Sequence, residues 1–261
     1  MIGKKVMRSF KKLVICLFLL KRVSLGALAA LEIEKIGMQI WYNEAAGKED
    51  LLVFWNQNEA FPSLGIGHNI WLPAGQKVKF HQGFPILCDY LKKHGVRLPD
   101  WLEQAKKNGA PWQTREHFYQ DYARRNELRK ILVQTVALQT QFMIDLMTQK
   151  LPLIVQAVPN HRRKHLEKNI NLMLATPKGT YALVDYLNFK GDGLNPREEL
   201  NGERWGLLAV LLDMPNDLNQ NNVLSAFAES ASQKLLNRIK NDHKLETFKV
   251  GWLKRLQTYV N

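Results

Sequence analysis

Between Leu128 and Met147 the chain places Leu128, Ile131, Leu132, Thr135, Leu138, Phe142, Leu146 and Met147 at intervals of three and four. That spacing predicts one long helix with a single buried face, and a helix of that length needs other helices to cover it. Shorter patterns of the same period predict them near Asp100 to Lys107, Arg115 to Arg124, His165 to Leu174, Tyr181 to Phe189, Trp205 to Asp213, Val223 to Lys240 and Leu245 to Tyr259. Pro73, Pro99, Pro111, Pro152, Pro177 and Pro215 punctuate them. Ahead of this helical part, Leu31, Ile33, Ile36, Ile40 and Trp41 predict a helix ending near Asn43 to Gly47. The apolar run Leu51 to Trp55, the turn formers Asn56 to Asn58 and the alternating Ser63 to Gly67 predict a hairpin or small sheet. The expected fold class is therefore mainly α (α+β), with a small sheet near the N-terminus. No repeat, low-complexity tract or composition shift follows residue 30, so residues 30–261 are expected to form a single domain.

The formal charge of +13 is unusual, and its position matters more than its size. Lys4, Lys5, Arg8, Lys11, Lys12, Lys21 and Arg22 hold seven of these charges, and residues 1–29 contain no acid, which leaves +6 for the remainder. A basic opening, the apolar run Leu13 to Leu20 and the small-residue stretch Ala27-Leu-Ala-Ala30 follow the order of a secretory signal. Lys21 and Arg22 interrupt the apolar part, so residues 1–29 are either a cleaved leader or an N-terminal anchor in contact with the membrane. Export would leave Cys88 as the one cysteine of a chain of about 230 residues, which is large enough to bury a core without disulfides. Cys88 lies in Phe84-Pro-Ile-Leu-Cys-Asp-Tyr-Leu91, where Pro85 in the first turn and Gly95 beyond the last predict a helix with an inert, buried thiol.

Chemistry enters at Ile40-Trp-Tyr-Asn-Glu44. Apolar surroundings at a helix C-terminus disfavour a carboxylate, as a general acid requires. Fifteen residues on, Glu59 lies in the polar turn Asn56-Gln-Asn-Glu59, where a carboxylate stays ionised. Two carboxylates in contrasting surroundings are what glycoside hydrolysis needs. One protonates the leaving oxygen, and the other activates water or stabilises the positive charge on the sugar.

Ser63-Leu-Gly-Ile-Gly-His68 resembles the Thr-x-Gly-x-Gly-His strand of phage-type lysozymes. The resemblance implies a lysozyme-like helical domain in which Glu44 is the acid, Glu59 the second carboxylate and Ser63 a hydroxyl that positions water. It further implies that Gly65, Gly67 and His68 are structural residues near the site. In this sequence Ala45-Ala-Gly47 follows Glu44 where the phage enzymes have glycine directly, and the second acid is Glu in place of Asp. The wider pattern from Trp55 to Trp71 is also similar to a bacterial envelope family of uncharacterised chemistry.

Aromatic faces and amide groups bind sugars, so Trp71 and, in the stretch Asp185 to Gly206, Tyr186, Asn188 and Trp205 are candidates for the wall of a glycan cleft. His161-Arg-Arg-Lys-His165 is the densest basic patch after residue 30, readable as a solvated helix start or as a contact for anionic polymer. It supplies no third zinc ligand, and no calcium loop, phosphate loop or Gly-x-Ser-x-Gly elbow occurs. Neither a metal nor another cofactor is expected. Nucleic acid is not an expected partner, because no recognised module or aromatic interleaving accompanies the charge. The combined expectation is a monomeric, exported glycoside hydrolase of the periplasm or cell exterior, or one held at the inner membrane, acting on peptidoglycan or another anionic wall glycan. Three alternatives stay open: a single-acid lytic transglycosylase, a protein of the same shape that binds wall glycan without cleaving it, and a membrane-associated envelope interaction protein held by an uncleaved N-terminus.

Overall fold

The computed structural model describes residues 29–76, 82–196 and 198–261; all but the last residue of the expected leader or anchor lies outside the described residues. These residues divide into two compact units, Ala29–Met143 and Ile144–Asn261, where a single domain was expected. The boundary falls inside a helix, Val136–Gln156, so no linker or change in composition marks it in the sequence. Among the described residues, no helix is long and apolar enough to cross a membrane.

The first unit begins with α1 (Ala30–Ala45) and a 3₁₀ turn at Glu49–Leu52. A three-stranded antiparallel sheet follows, β1 (Val53–Phe54), β2 (Ser63–Leu64) and β3 (Asn69–Ile70), with β2 central and Ser63 opposite both Phe54 and Ile70. Then come α2 (Gly83–Lys93), α3 (Asp100–Asn108), α4 (Arg115–Gln120), α5 (Tyr122–Gln134) and the start of α6 (Val136–Gln156). The expected fold class is thus the observed one. Helix α1 buries Ile36, Gly37, Ile40 and Trp41. Gly37 lets it approach α6 closely, since a Cβ there would collide with Thr140 Oγ1.

Three departures from the periodicity have local reasons. The long helix predicted across Leu128 to Met147 is broken at Thr135, between α5 and α6. The carbonyls freed by the break find side-chain donors: Thr135 Oγ1 donates to Ile131 O at 2.7 Å, and Gln139 Nε2 to Leu132 O at 2.7 Å. A one-residue break leaves apolar spacing unchanged, so the pattern reads straight through it. The helix expected over Arg115 to Arg124 stops at Gln120 because Asp121 caps the next one, accepting from Arg124 N at 3.2 Å. Pro152, read as punctuation, lies inside α6.

Helix α2 matches expectation. Gly95 beyond its end has φ +85°, and its N–H reaches Lys92 O. Cys88 is buried, and that burial pushes its thiol up to about 12. In a Cys16→Ser chain, Cys88 is therefore expected to resist an aromatic disulfide reagent at pH 8 in the native protein and to react stoichiometrically once denaturant is added. Rapid reaction of the native protein, followed by thiolate release, would contradict this packing.

The second unit holds the rest of α6, α7 (Asn160–Leu174), α8 (Pro177–Lys190), the hairpin β4 (Glu199–Leu200) and β5 (Glu203–Arg204), α9 (Leu207–Asp213), α10 (Val223–Asn241), a 3₁₀ helix at His243–Phe248 and α11 (Lys249–Gln257). The last two replace the one helix expected over Leu245 to Tyr259. Asp185 of α8 is fully buried in this unit's core. Arg255 of α11 grips it through Nε and Nη2, both at 2.8 Å, and Tyr259 donates its hydroxyl at 2.6 Å.

Candidate active site

The last turn of α1 carries Glu44, and the helix stops immediately after it. Ala46 takes a left-handed conformation (φ 49°) with its N–H on Tyr42 O at 2.9 Å, and Gly47 continues the turn at φ +69°. Ala45 is thus the last helical residue, Ala46 the left-handed stop, and Gly47 lies one position beyond it. Trp41 pins the returning chain by donating Nε1 to Lys48 O at 3.3 Å.

Facing Glu44 is the connection from β2 to β3, the tetrapeptide Gly65-Ile-Gly-His68. His68 N donates to Gly65 O at 3.1 Å, which closes a tight turn, and Gly65 N donates to Leu52 O at 2.8 Å. Gln139 holds the turn from behind. Its side chain is 1% exposed, accepts from Ile66 N at 3.0 Å through Oε1, and donates through Nε2 to Leu132 O and Thr135 Oγ1. The turn presents His68 so that its Nδ1 lies 3.6 Å from Glu44 Oε2, with the two side chains 27% and 14% exposed.

Gly65 is confined twice, by φ +76° and by Gln139 Oε1, which a Cβ would overlap. Gly65→Ala is expected to lose about 1–2 kcal/mol to the left-handed backbone and a further ~1–3 kcal/mol to the disrupted Gln139 contacts. Gly75→Ala supplies the control, because Gly75 has φ +82° but, among the described residues, nothing within 4 Å of its would-be Cβ. Equal losses at the two positions, measured by urea unfolding, would refute the clamp.

Ser63 lies on central β2 and is buried. Glu59 sits in the expected polar turn: Asn58 N and Glu59 N both return to Asn56, and Glu59 O accepts from Trp55 Nε1 at 2.8 Å. Its side chain is exposed. Sequence reasoning missed Arg115 and Tyr119, which both donate to Trp55 O, at 2.9 and 3.2 Å, and so hold the strand leading into this turn. It also missed Gln139, although a glutamine inside an otherwise apolar stripe was a readable signal.

The expected glycan wall needs correction. Trp71 is fully buried, its ring packed against Phe84 at 5.0 Å and Trp112 at 5.9 Å, so it is core and presents no face to a sugar. Tyr186 is likewise enclosed in the second unit; its hydroxyl donates to Trp205 O at 2.6 Å, and burial pushes the phenol well above its usual range. Trp205 is half-buried with the Arg238 guanidinium 3.8 Å over its ring, which occupies that face. Of the four, Asn188 alone is exposed. In the neighbouring loop, burial and then the Asp192 charge push the Glu198 carboxyl upward.

The basic patch at the start of α7 is partly committed to helix ends. Arg163 donates to Val158 O and Gln156 O at 3.0 and 3.1 Å, and Arg162 reaches Leu212 O at 3.5 Å. These are the cation-to-carbonyl contacts that favour helix C-termini.

No protein-family model matches this chain, and no curated protein or solved structure does either.

Proposed function

We propose that the chain is an exported glycoside hydrolase acting on peptidoglycan or a related anionic wall glycan, with Glu44 as general acid. The observation that carries this reading is the meeting of two separate sequence features: Glu44 at the end of α1, and the Gly-x-Gly-His turn, whose His68 Nδ1 lies 3.6 Å from its carboxyl. The likeness of Ser63 to His68 to the phage-type lysozyme strand supports the same assignment. In the reaction, Glu44 passes its proton to the glycosidic oxygen as the bond to the anomeric carbon breaks, and the leaving sugar departs as an alcohol. Glu59 stabilises the resulting charge or activates water, and Ser63 positions that water. The +6 left after the leader is removed suits a polyanionic wall.

The exposure of Glu59 favours one variant, in which Glu44 works as the single acid in the manner of a lytic transglycosylase. In that case the sugar's own hydroxyl replaces water and Glu59→Gln costs little. Binding of wall glycan without cleavage is the alternative outside enzymology. Clearing of a suspension of purified peptidoglycan by the full chain, followed as turbidity, tests the proposal. A fall in turbidity is expected, and a stable suspension with the protein sedimenting on it would favour the binding protein.

A further inference from the structure

Resting on the reading of Glu44 as the acid, we infer that His68 is its positioning residue, retained at a cost to the fold. Three observations at this one side chain point the same way. His68 has φ 48°, a left-handed conformation that a non-glycine residue adopts against its own Cβ. Its Nε2 is buried and, among the described residues, has no hydrogen-bond partner. Its Nδ1 stands 3.6 Å from Glu44 Oε2, too far for a stabilising hydrogen bond yet close enough to bound the carboxyl. A residue kept for stability would show none of these; glycine would fit the turn with less strain and strand no polar atom.

The surroundings prevent the strain from relaxing. The turn is tied by Gly65 N to Leu52 O and by Ile66 N to Gln139, while the α1 stop that carries Glu44 is tied through Trp41 to Lys48 O. Neither partner can swing away, so the imidazole edge limits where Oε2 can turn, and with it the direction from which the acid meets a glycosidic oxygen.

The test uses the full chain with His68→Gly and His68→Asn, two residues that tolerate left-handed backbone. His68→Asn is expected to keep its thermal midpoint near wild type, and His68→Gly, which relieves the strained backbone and removes the stranded Nε2, to keep or raise it. On peptidoglycan, kcat is expected to fall about 10–100-fold with KM unchanged, the signature of a misdirected acid. Unchanged kcat overturns the inference, and so does a midpoint that drops in proportion to the activity, since that marks a structural residue. A wild-type chain without cleavage overturns the catalytic purpose together with the glycosidase reading. The pairing is then judged from the ¹⁵N resonances of the His68 ring, which Glu44→Gln shifts if imidazole and carboxyl face each other and leaves in place if they do not.

Discussion

Glu44→Gln is expected to lower the rate of peptidoglycan cleavage by about 10²–10⁴-fold, the range over which a positioned general acid contributes. The amide matches the carboxyl in shape but has no proton of suitable acidity to give to a leaving oxygen. Packing should hardly change. The side chain is 14% exposed at a helix end whose stop is made by the backbone of Ala46, and glutamine keeps its size and its capacity to accept hydrogen bonds. Glycan affinity and thermal midpoint should therefore stay near wild type, so that the loss falls on kcat. The same substitution at Glu59 separates the two catalytic variants: a loss comparable to that at Glu44 indicates two working carboxylates, and a loss below about tenfold indicates the single-acid route.

Asp185→Ala is expected to be the most damaging substitution for stability, at about 3–5 kcal/mol. Asp185 is fully buried and takes two hydrogen bonds from Arg255 and one from Tyr259. Its removal strands a guanidinium that is 9% exposed and a phenol with no exposure at all. Burial has already pushed that phenol well above its usual range, with the Asp185 charge adding to the effect, so Tyr259 stays a neutral donor. The loss compares with a total of about 5–15 kcal/mol for an ordinary protein. Replacing both charged partners is expected to cost much less than either single change: Asp185→Leu with Arg255→Met leaves no stranded charge, and Arg255 already packs its guanidinium 4.1 Å over the Phe189 ring, where a thioether is at home. Urea unfolding of the two single variants and the double variant measures this directly. Additive losses would show that the pair does not act as a unit.

Features written within a few residues of one another are legible in the amino-acid sequence alone. Pro85 and Gly95 bracket α2, Glu44 follows an aromatic helix end, and Ser63 to His68 spells a strand and its turn. Each depends on local backbone chemistry, which sequence carries directly. Features that depend on distant partners are not legible. Gln139 meets Ile66 across 73 positions and Asp185 meets Arg255 across 70; a polar residue in an apolar stripe marks Gln139 as unusual, but nothing local names the partner of either. The misread aromatics have the same origin. Trp71 and Tyr186 have the residue type that stacks on sugars, but the same type fills cores, and only the packing of Trp71 on Phe84 and Trp112 decides which role it plays. The break at Thr135 and the unit boundary inside α6 stay hidden because the apolar spacing runs on through both.

The central claim is that the α1 end and the Gly-x-Gly-His turn form a glycan-cleaving centre. Chromatography of soluble fragments from purified sacculi incubated with the full chain and with Glu44→Gln bears on it most directly. Disaccharide-peptide fragments are predicted from wild type, ending in either new reducing ends or anhydro sugars, with almost none from Glu44→Gln. Intact sacculi from both, or equal release by both, would contradict it.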